Sequence, residues 1–127
     1  EEVKYKSEDF ARTYARTGIY LARAYSRYGY YDKAEIFIYK LKLILSQEYT
    51  LPNATHLLFL LNLFEVYNLL RQNNPKGIER AKAVIHYIDA QNNLFPLANM
   101  FTIKNDFIQE VKRLNKTGIP FPIEDEE

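Results

Sequence analysis

Four arginines give this 127-residue chain its most chemically suggestive pattern. Arg12, Arg16, Arg23 and Arg27 follow one another at intervals of four, seven and four residues. At about 100° per residue of an α-helix, all four fall within about 60° of one another. A guanidinium carries a planar fork of donors that matches a carboxylate or a phosphate through two parallel hydrogen bonds. Such a row therefore suits an anionic group. It equally suits a solvated outer face paired with Glu8 and Asp9, where each exposed pair contributes about 0–1 kcal/mol.

Other reactive residue types are present without the spacing their chemistry needs. His56 and His86 fall on separate helical segments with no ligand-type partner four residues away, so no metal site is expected. Glu65 and Glu79 sit near apolar faces, and neither has a second carboxylate at a helical spacing. The glycine pairs of a phosphate loop or dinucleotide fingerprint are missing, as is a nucleophile elbow. The absence of cysteine excludes disulfides, thiolate metal sites and a thiol nucleophile, and fits a reducing compartment. No catalytic residue, metal or cofactor is expected; the chain reads as a binding protein and not an enzyme.

Composition places these residues in a folded domain. Apolar residues make up 47% of the chain, and eleven Tyr and eight Phe are far too many for a disordered segment. The net charge is +1, but four of the 16 acids lie in Glu124 to Glu127; without them 12 acids face 17 basic residues, and the body carries +5. That balance suits an anionic partner, yet it lacks the clustered basic surface of a dedicated nucleic-acid binder, so direct nucleic-acid binding is not expected. No apolar run is long enough to span a bilayer, and the N-terminal stretch lacks a signal-peptide core, which points to a cytoplasmic protein without a membrane partner. The start at Glu1-Glu2-Val3 reads as a piece of a longer protein.

Five helices are predicted, within one helical domain over 1–118 followed by a Pro-containing acidic tail over 119–127. Helix 1 spans about 7–28, with Ser7 as its cap and Glu8 and Asp9 at the positive end of its dipole. Its apolar stripe is Phe10, Ala11, Tyr14, Thr17, Gly18, Leu21, Tyr25 and Tyr28, opposite the arginines. Gly18 within that stripe would let a neighbouring helix approach closely, and Gly29 would end the helix in the left-handed conformation. Helix 2 covers about 31–46. After Pro52, helix 3 over about 53–71 is apolar all round, from Leu57 to Leu70, and so is buried on several sides or packs one face on a partner. Asn74-Pro75 starts helix 4 (about 75–89), with Ile78, Ala81, Val84, Ile85 and Ile88 inward. A polar joint at Gln91-Asn92-Asn93 and Pro96 leads to helix 5 (about 97–115), with Ile103, Phe107, Val111 and Leu114 inward and Gly118 as its stop. Of the tyrosines, Tyr20, Tyr30 and Tyr39 are the ones expected outside, as stacking platforms.

The stretch from Gly18 to Leu41 resembles a tetratricopeptide-type helical hairpin. Leu21 and Ala22 match the motif's Leu-Gly/Ala pair, Tyr25 its aromatic, Gly29 and Tyr31 its turn, and Ala34 its second small residue. Ile38 stands for the usual Phe. Gly18, Leu41 and Ser46 depart from the pattern, and Tyr67 and Ala81 are counterparts in a degenerate second hairpin. The resemblance implies antiparallel helices stacked as right-handed hairpins, with the first helix lining a groove at Arg16, Ile19, Tyr20, Arg23, Ser26 and Arg27. It also implies a protein or peptide ligand. An Asn needed by the family's chaperone-tail clamp is replaced by Arg23, which argues against that ligand.

The expected function is thus a protein- or peptide-interaction module for an acidic segment, with Arg12 extending the groove's row of charge. Two alternatives stand beside it. The order of Tyr30 to Phe37, Leu57 to Asn62 and Ala81 to Ile85 is similar to the helical sensor region of Rgg-type peptide-pheromone regulators, which implies peptide sensing or dimerisation in a transcription regulator. The apolar character of helix 3 fits a packing subunit of a larger complex, or a homo-oligomer sharing helix 3 or the last helix.

Overall fold

The computed structural model describes the backbone of residues 2–47, 54–94 and 98–121, and side chains over 13–14, 16–46, 56–91 and 102–121. Five α-helices and no strand are found among them: α1 Glu2–Arg27, α2 Tyr31–Gln47, α3 Ala54–Arg71, α4 Lys76–Leu94 and α5 Ala98–Leu114. The all-α expectation holds, and α2, α3 and α5 keep close to their predicted bounds. Helix α1 begins at Glu2, so Ser7 lies inside the helix and does not cap it. Nothing in 2–6 breaks a helix, and Glu and Lys are good helix formers. Likewise α4 runs on through Gln91, Asn92 and Asn93 to Leu94, because a polar run without Gly or Pro weakens a helix without ending it. The expectations resting on Phe10, Ala11, Pro52, Pro96, Pro122 and Glu124 to Glu127 lie outside the described side chains or residues.

The chain divides into two compact units, 1–68 and 69–127. In the first, α1 and α2 pack on each other, and Ile19, Ala22, Ile38, Leu41, Leu45, Leu57 and Leu61 form one apolar cluster. Gly18 serves close approach as expected. A Cβ placed on it would lie 2.9 Å from Leu41 Cδ2, so only hydrogen allows Leu41 to reach this far. The buried stripe of α1 is therefore Gly18, Ile19, Ala22 and Ser26. That corrects the predicted stripe: Tyr14 and Tyr25 are only half-buried, Thr17 is exposed, and Leu21 and Tyr28 are 40% and 81% exposed. Polar contacts join α3 to α2. Lys42 Nζ donates to Glu65 Oε1 at 2.6 Å, and the Asn68 side-chain amide donates to the Tyr31 carbonyl at 3.2 Å. None of the apolar side chains of α3 from Leu57 to Leu70 is exposed, as its all-round apolar pattern requires.

In the second unit α4 packs on α5. Ile78, Ala81, Val84 and Ile88 of α4 are buried, as are Phe107 and Val111 of α5, and Lys104 pairs with Asp89 at 2.8 Å. Gly77 faces Leu70, whose Cγ would stand 2.9 Å from an added Cβ. Helix α5 stops at Leu114, before Gly118. The Asn115 carboxamide closes the next turn, its Oδ1 accepting from Thr117 N at 3.0 Å and its Nδ2 donating to the Ile119 carbonyl at 2.7 Å. Gly118 supplies the positive φ of 86° within that turn, and Phe121 beyond it is buried.

Two helix ends share one device. At α1, Gly29 adopts φ 88°, Gly29 N donates to the Ser26 carbonyl at 3.2 Å and Tyr30 N to the Tyr25 carbonyl at 2.8 Å. This is the Schellman pattern, in which a left-handed residue lets the last carbonyls find donors. The rings of Tyr25 and Tyr30 meet edge to face, with centroids 6.3 Å apart, and supply its apolar contact. At α3 the same role falls to Asn73, with φ 61°: Asn73 N donates to the Leu70 carbonyl and Asn74 N to the Leu69 carbonyl, each at 2.9 Å. Asn74 then caps α4 as predicted, its Oδ1 accepting from Lys76 N at 3.0 Å.

A Gly29→Ala substitution should lower unfolding free energy by about 1 kcal/mol, since a left-handed conformation penalises a side chain even where space is open. Gly77→Ala should also destabilise, because contact with Leu70 Cγ outweighs the roughly 1 kcal/mol gained in helix propensity. Urea denaturation of both variants checks this. A Gly77→Ala variant more stable than the parent would show that Leu70 yields freely.

Candidate functional site

The arginine row is carried by one helix, α1, and the packing of that helix decides what surrounds it. Buried Gly18, Ile19, Ala22 and Ser26 centre about 95° around the helix from the arginines by the 3.6-residue period. The row thus flanks the buried stripe instead of standing opposite it. Arg16 and Arg27 are exposed and Arg23 is half-buried. Tyr20 lies on the same arc between Arg16 and Arg23 and is 62% exposed. The side chain of Arg12 lies outside the described residues.

Two groove positions implied by the hairpin resemblance are not open. Ile19 belongs to the apolar cluster, and Ser26 is 3% exposed, because α1 turns that side inward to let Gly18 and Ala22 meet α2. The remaining set, Arg16, Tyr20, Arg23 and Arg27, forms one continuous strip. Within the described residues no acidic side chain pairs with Arg16, Arg23 or Arg27. Arg113 on α5 shows the contrasting arrangement. Its Nε donates to Glu110 Oε1 at 3.1 Å, and that hydrogen bond, with the attraction of the carboxylate, raises the guanidinium's already high pKa.

A second feature sits at the turn between α1 and α2. Lys33 Nζ lies 5.8 Å from the Tyr25 ring centroid and 5.5 Å from that of Tyr30, a cation placed over two π faces. Phe37 extends the aromatic contacts to Tyr14 and Tyr25, at 6.4 and 6.0 Å between centroids. Here Lys33 occupies the corner that the two tyrosines make, so this group reads as a brace for the turn. On the outer side of α2, Ile36, Tyr39 and Leu43 are 54%, 63% and 44% exposed and recur at i, i+3 and i+7. Among the described residues these three make an exposed apolar strip on α2, whereas no apolar side chain of α3 from Leu57 to Leu70 is exposed. Tyr20, Tyr30 and Tyr39 are outside as expected, and so are Tyr28 and Tyr87.

His56 and His86 are both exposed. No group of three metal-ligating side chains occurs among the described residues. Glu65 is engaged by Lys42, and Glu79 is exposed on the first turn of α4. Among the described residues no helix is long and apolar enough to cross a membrane.

The division between α2's two faces is open to a direct test. Ile36→Gln or Leu43→Gln should change stability by no more than about 0.5 kcal/mol, whereas Leu41→Ala on the buried face should cost about 2–5 kcal/mol. Thermal or urea unfolding of the three variants distinguishes the faces. A large loss from Leu43→Gln would mean that this strip is covered. No family model matches the chain, no curated protein matches it, and no solved structure matches it.

Proposed function

We propose that this protein is a non-enzymatic interaction module that captures an acidic protein or peptide segment on the Arg16, Tyr20, Arg23 and Arg27 strip of α1. One observation carries the reading: three arginines share one face of one helix without an acidic partner among the described residues, around an exposed tyrosine. Like charges on one helix face repel by a few tenths of a kcal/mol per neighbouring pair. An anionic partner relieves that repulsion and satisfies the guanidinium donors. Arg is also the basic residue best suited to bidentate capture of carboxylates, and Tyr brings a rigid apolar surface with a polar tip.

The hairpin resemblance supports the same reading through α1 and α2. Ala22 and Ala34, the motif's small residues, are fully buried, and Gly29 makes its turn. Burial of Ile19 and Ser26 narrows the binding surface from the motif's broad groove to the flank of α1. Within that surface the arginines supply charge and Tyr20 the apolar contact, so affinity should depend strongly on salt.

The test uses fluorescein-labelled polyglutamate as a generic acidic probe. The parent should bind it at low salt and lose most binding at high salt. A combined Arg16→Gln, Arg23→Gln and Arg27→Gln variant, with circular dichroism confirming an unchanged helix content, should bind about tenfold more weakly, from about 0.5 kcal/mol per exposed contact. Equal binding by parent and variant would overturn the proposal.

A further inference from the structure

We infer that the partner of the α1 strip is itself an α-helix, with acids at relative positions 0, 7 and 11 and an apolar residue at position 4. This rests on the acidic-partner reading above and specifies the shape and register of that partner. The inference comes from commensurate spacing. Arg16 and Arg23 are seven residues apart on a continuous α-helix, about 10.5 Å along the axis, and Arg23 and Arg27 are four apart, about 6 Å. Tyr20 stands four residues after Arg16 and three before Arg23.

An extended peptide meets these intervals badly. At about 3.3 Å per residue, 10.5 and 6 Å correspond to about three and two residues. Acids at 0, 3 and 5 of a strand place the first side chain on the opposite face from the other two, because strand side chains alternate. A helix lying along α1 has the same rise and the same turn as the row it meets. Acids at 0, 7 and 11 then share one face, all within about 60°, as Arg16, Arg23 and Arg27 do. Helices crossing at about 20° stay in register over several turns, which covers the strip from Arg16 to Arg27.

Tyr20 adds the apolar element. On a partner running parallel, position 4 falls over Tyr20; on one running antiparallel, the motif is read in reverse. A Leu or Met there would cover the exposed ring between two flanking ion pairs and raise their strength by excluding water. On the adjoining arc Thr13, Thr17 and Ala24 are small side chains. The buried stripe on the other side, with Ile19 and Ser26, stays closed and offers the partner no deeper pocket.

The experiment compares three fluorescein-labelled peptides of equal length and net charge against the full chain. One is helix-stapled and carries Glu at 0, 7 and 11 with Leu at 4. Another is equally stapled, with its acids spread around the helix. The third has the matched order without the staple, and a Pro replaces one residue at mid-length. The matched helix should bind about tenfold more tightly than either control, and Tyr20→Ala should remove most of that advantage. If all three peptides bind alike and all weaken on Arg16→Gln, Arg23→Gln and Arg27→Gln substitution, the helical partner is wrong while the acidic-partner reading stands. Binding insensitive to the arginine substitutions, or absent for every peptide and for polyglutamate, removes both. A single-stranded oligonucleotide binding more tightly than the matched helix through the same arginines would replace the helical partner with a nucleic-acid backbone.

Discussion

The close approach of α1 to α2 at Gly18 and Leu41 is the contact on which the first unit depends. Leu41 is fully buried, and its methyl groups occupy the space where any other residue at 18 would carry a Cβ. Close packing of this kind fixes the rotation of a helix about its own axis, because dispersion contacts fall off within a fraction of an ångström. With Gly18 turned inward, Ile19, Ala22 and Ser26 must follow. Leu21, Tyr28 and Thr17 are then turned out, although their apolar or small character would have let them be buried. The same rotation sets the arginine strip beside the buried stripe, where Arg23 is half-buried and Arg16 and Arg27 are exposed.

Turn chemistry holds this arrangement at its end. The left-handed Gly29 satisfies the last carbonyls of α1 and brings Tyr30 back over Tyr25, while Lys33 from the first turn of α2 covers both rings. Backbone, aromatic and cationic contacts here act on the same few residues, so the turn is consistent from local propensity to tertiary packing. Asn73 repeats the backbone part at the end of α3, followed directly by the Asn74 cap of α4. Two short connections, each with a left-handed residue, thereby leave few carbonyls unsatisfied.

Much of this was legible from residue order. Gly29 as a stop, Asn74 as a cap, the inward stripe of α4 apart from the half-buried Ile85, and the close-approach role of Gly18 each follow from one local rule, and each is found. Asn73 was missed as a stop because Asn adopts the left-handed region less freely than Gly, although its position two residues after Arg71 carried the signal. The early start of α1 was missed because Ser7 before two acids imitates a cap. The row of arginines was legible as a row, but its surroundings were not. Tyr14, Leu21, Tyr25 and Tyr28 make a plausible stripe by hydrophobicity with Gly18 at its edge, whereas the observed stripe turns from Gly18 toward Ile19, Ala22 and Ser26, the last of which hydrophobicity ranks low.

Sequence alone therefore determined that the chain is helical, where most of its helices turn, and that four arginines share one helical face, since each of these depends on neighbours within a few residues. Tertiary structure decided which side of α1 is buried, which side of α2 is left apolar and exposed, and that Ile19 and Ser26 close what the resemblance would leave open. The physical reason is that α1 has two candidate apolar arcs of similar size. Only the fit of small residues against a specific neighbour, Leu41 above Gly18, chooses between them, and that fit involves residues 23 positions apart in the chain.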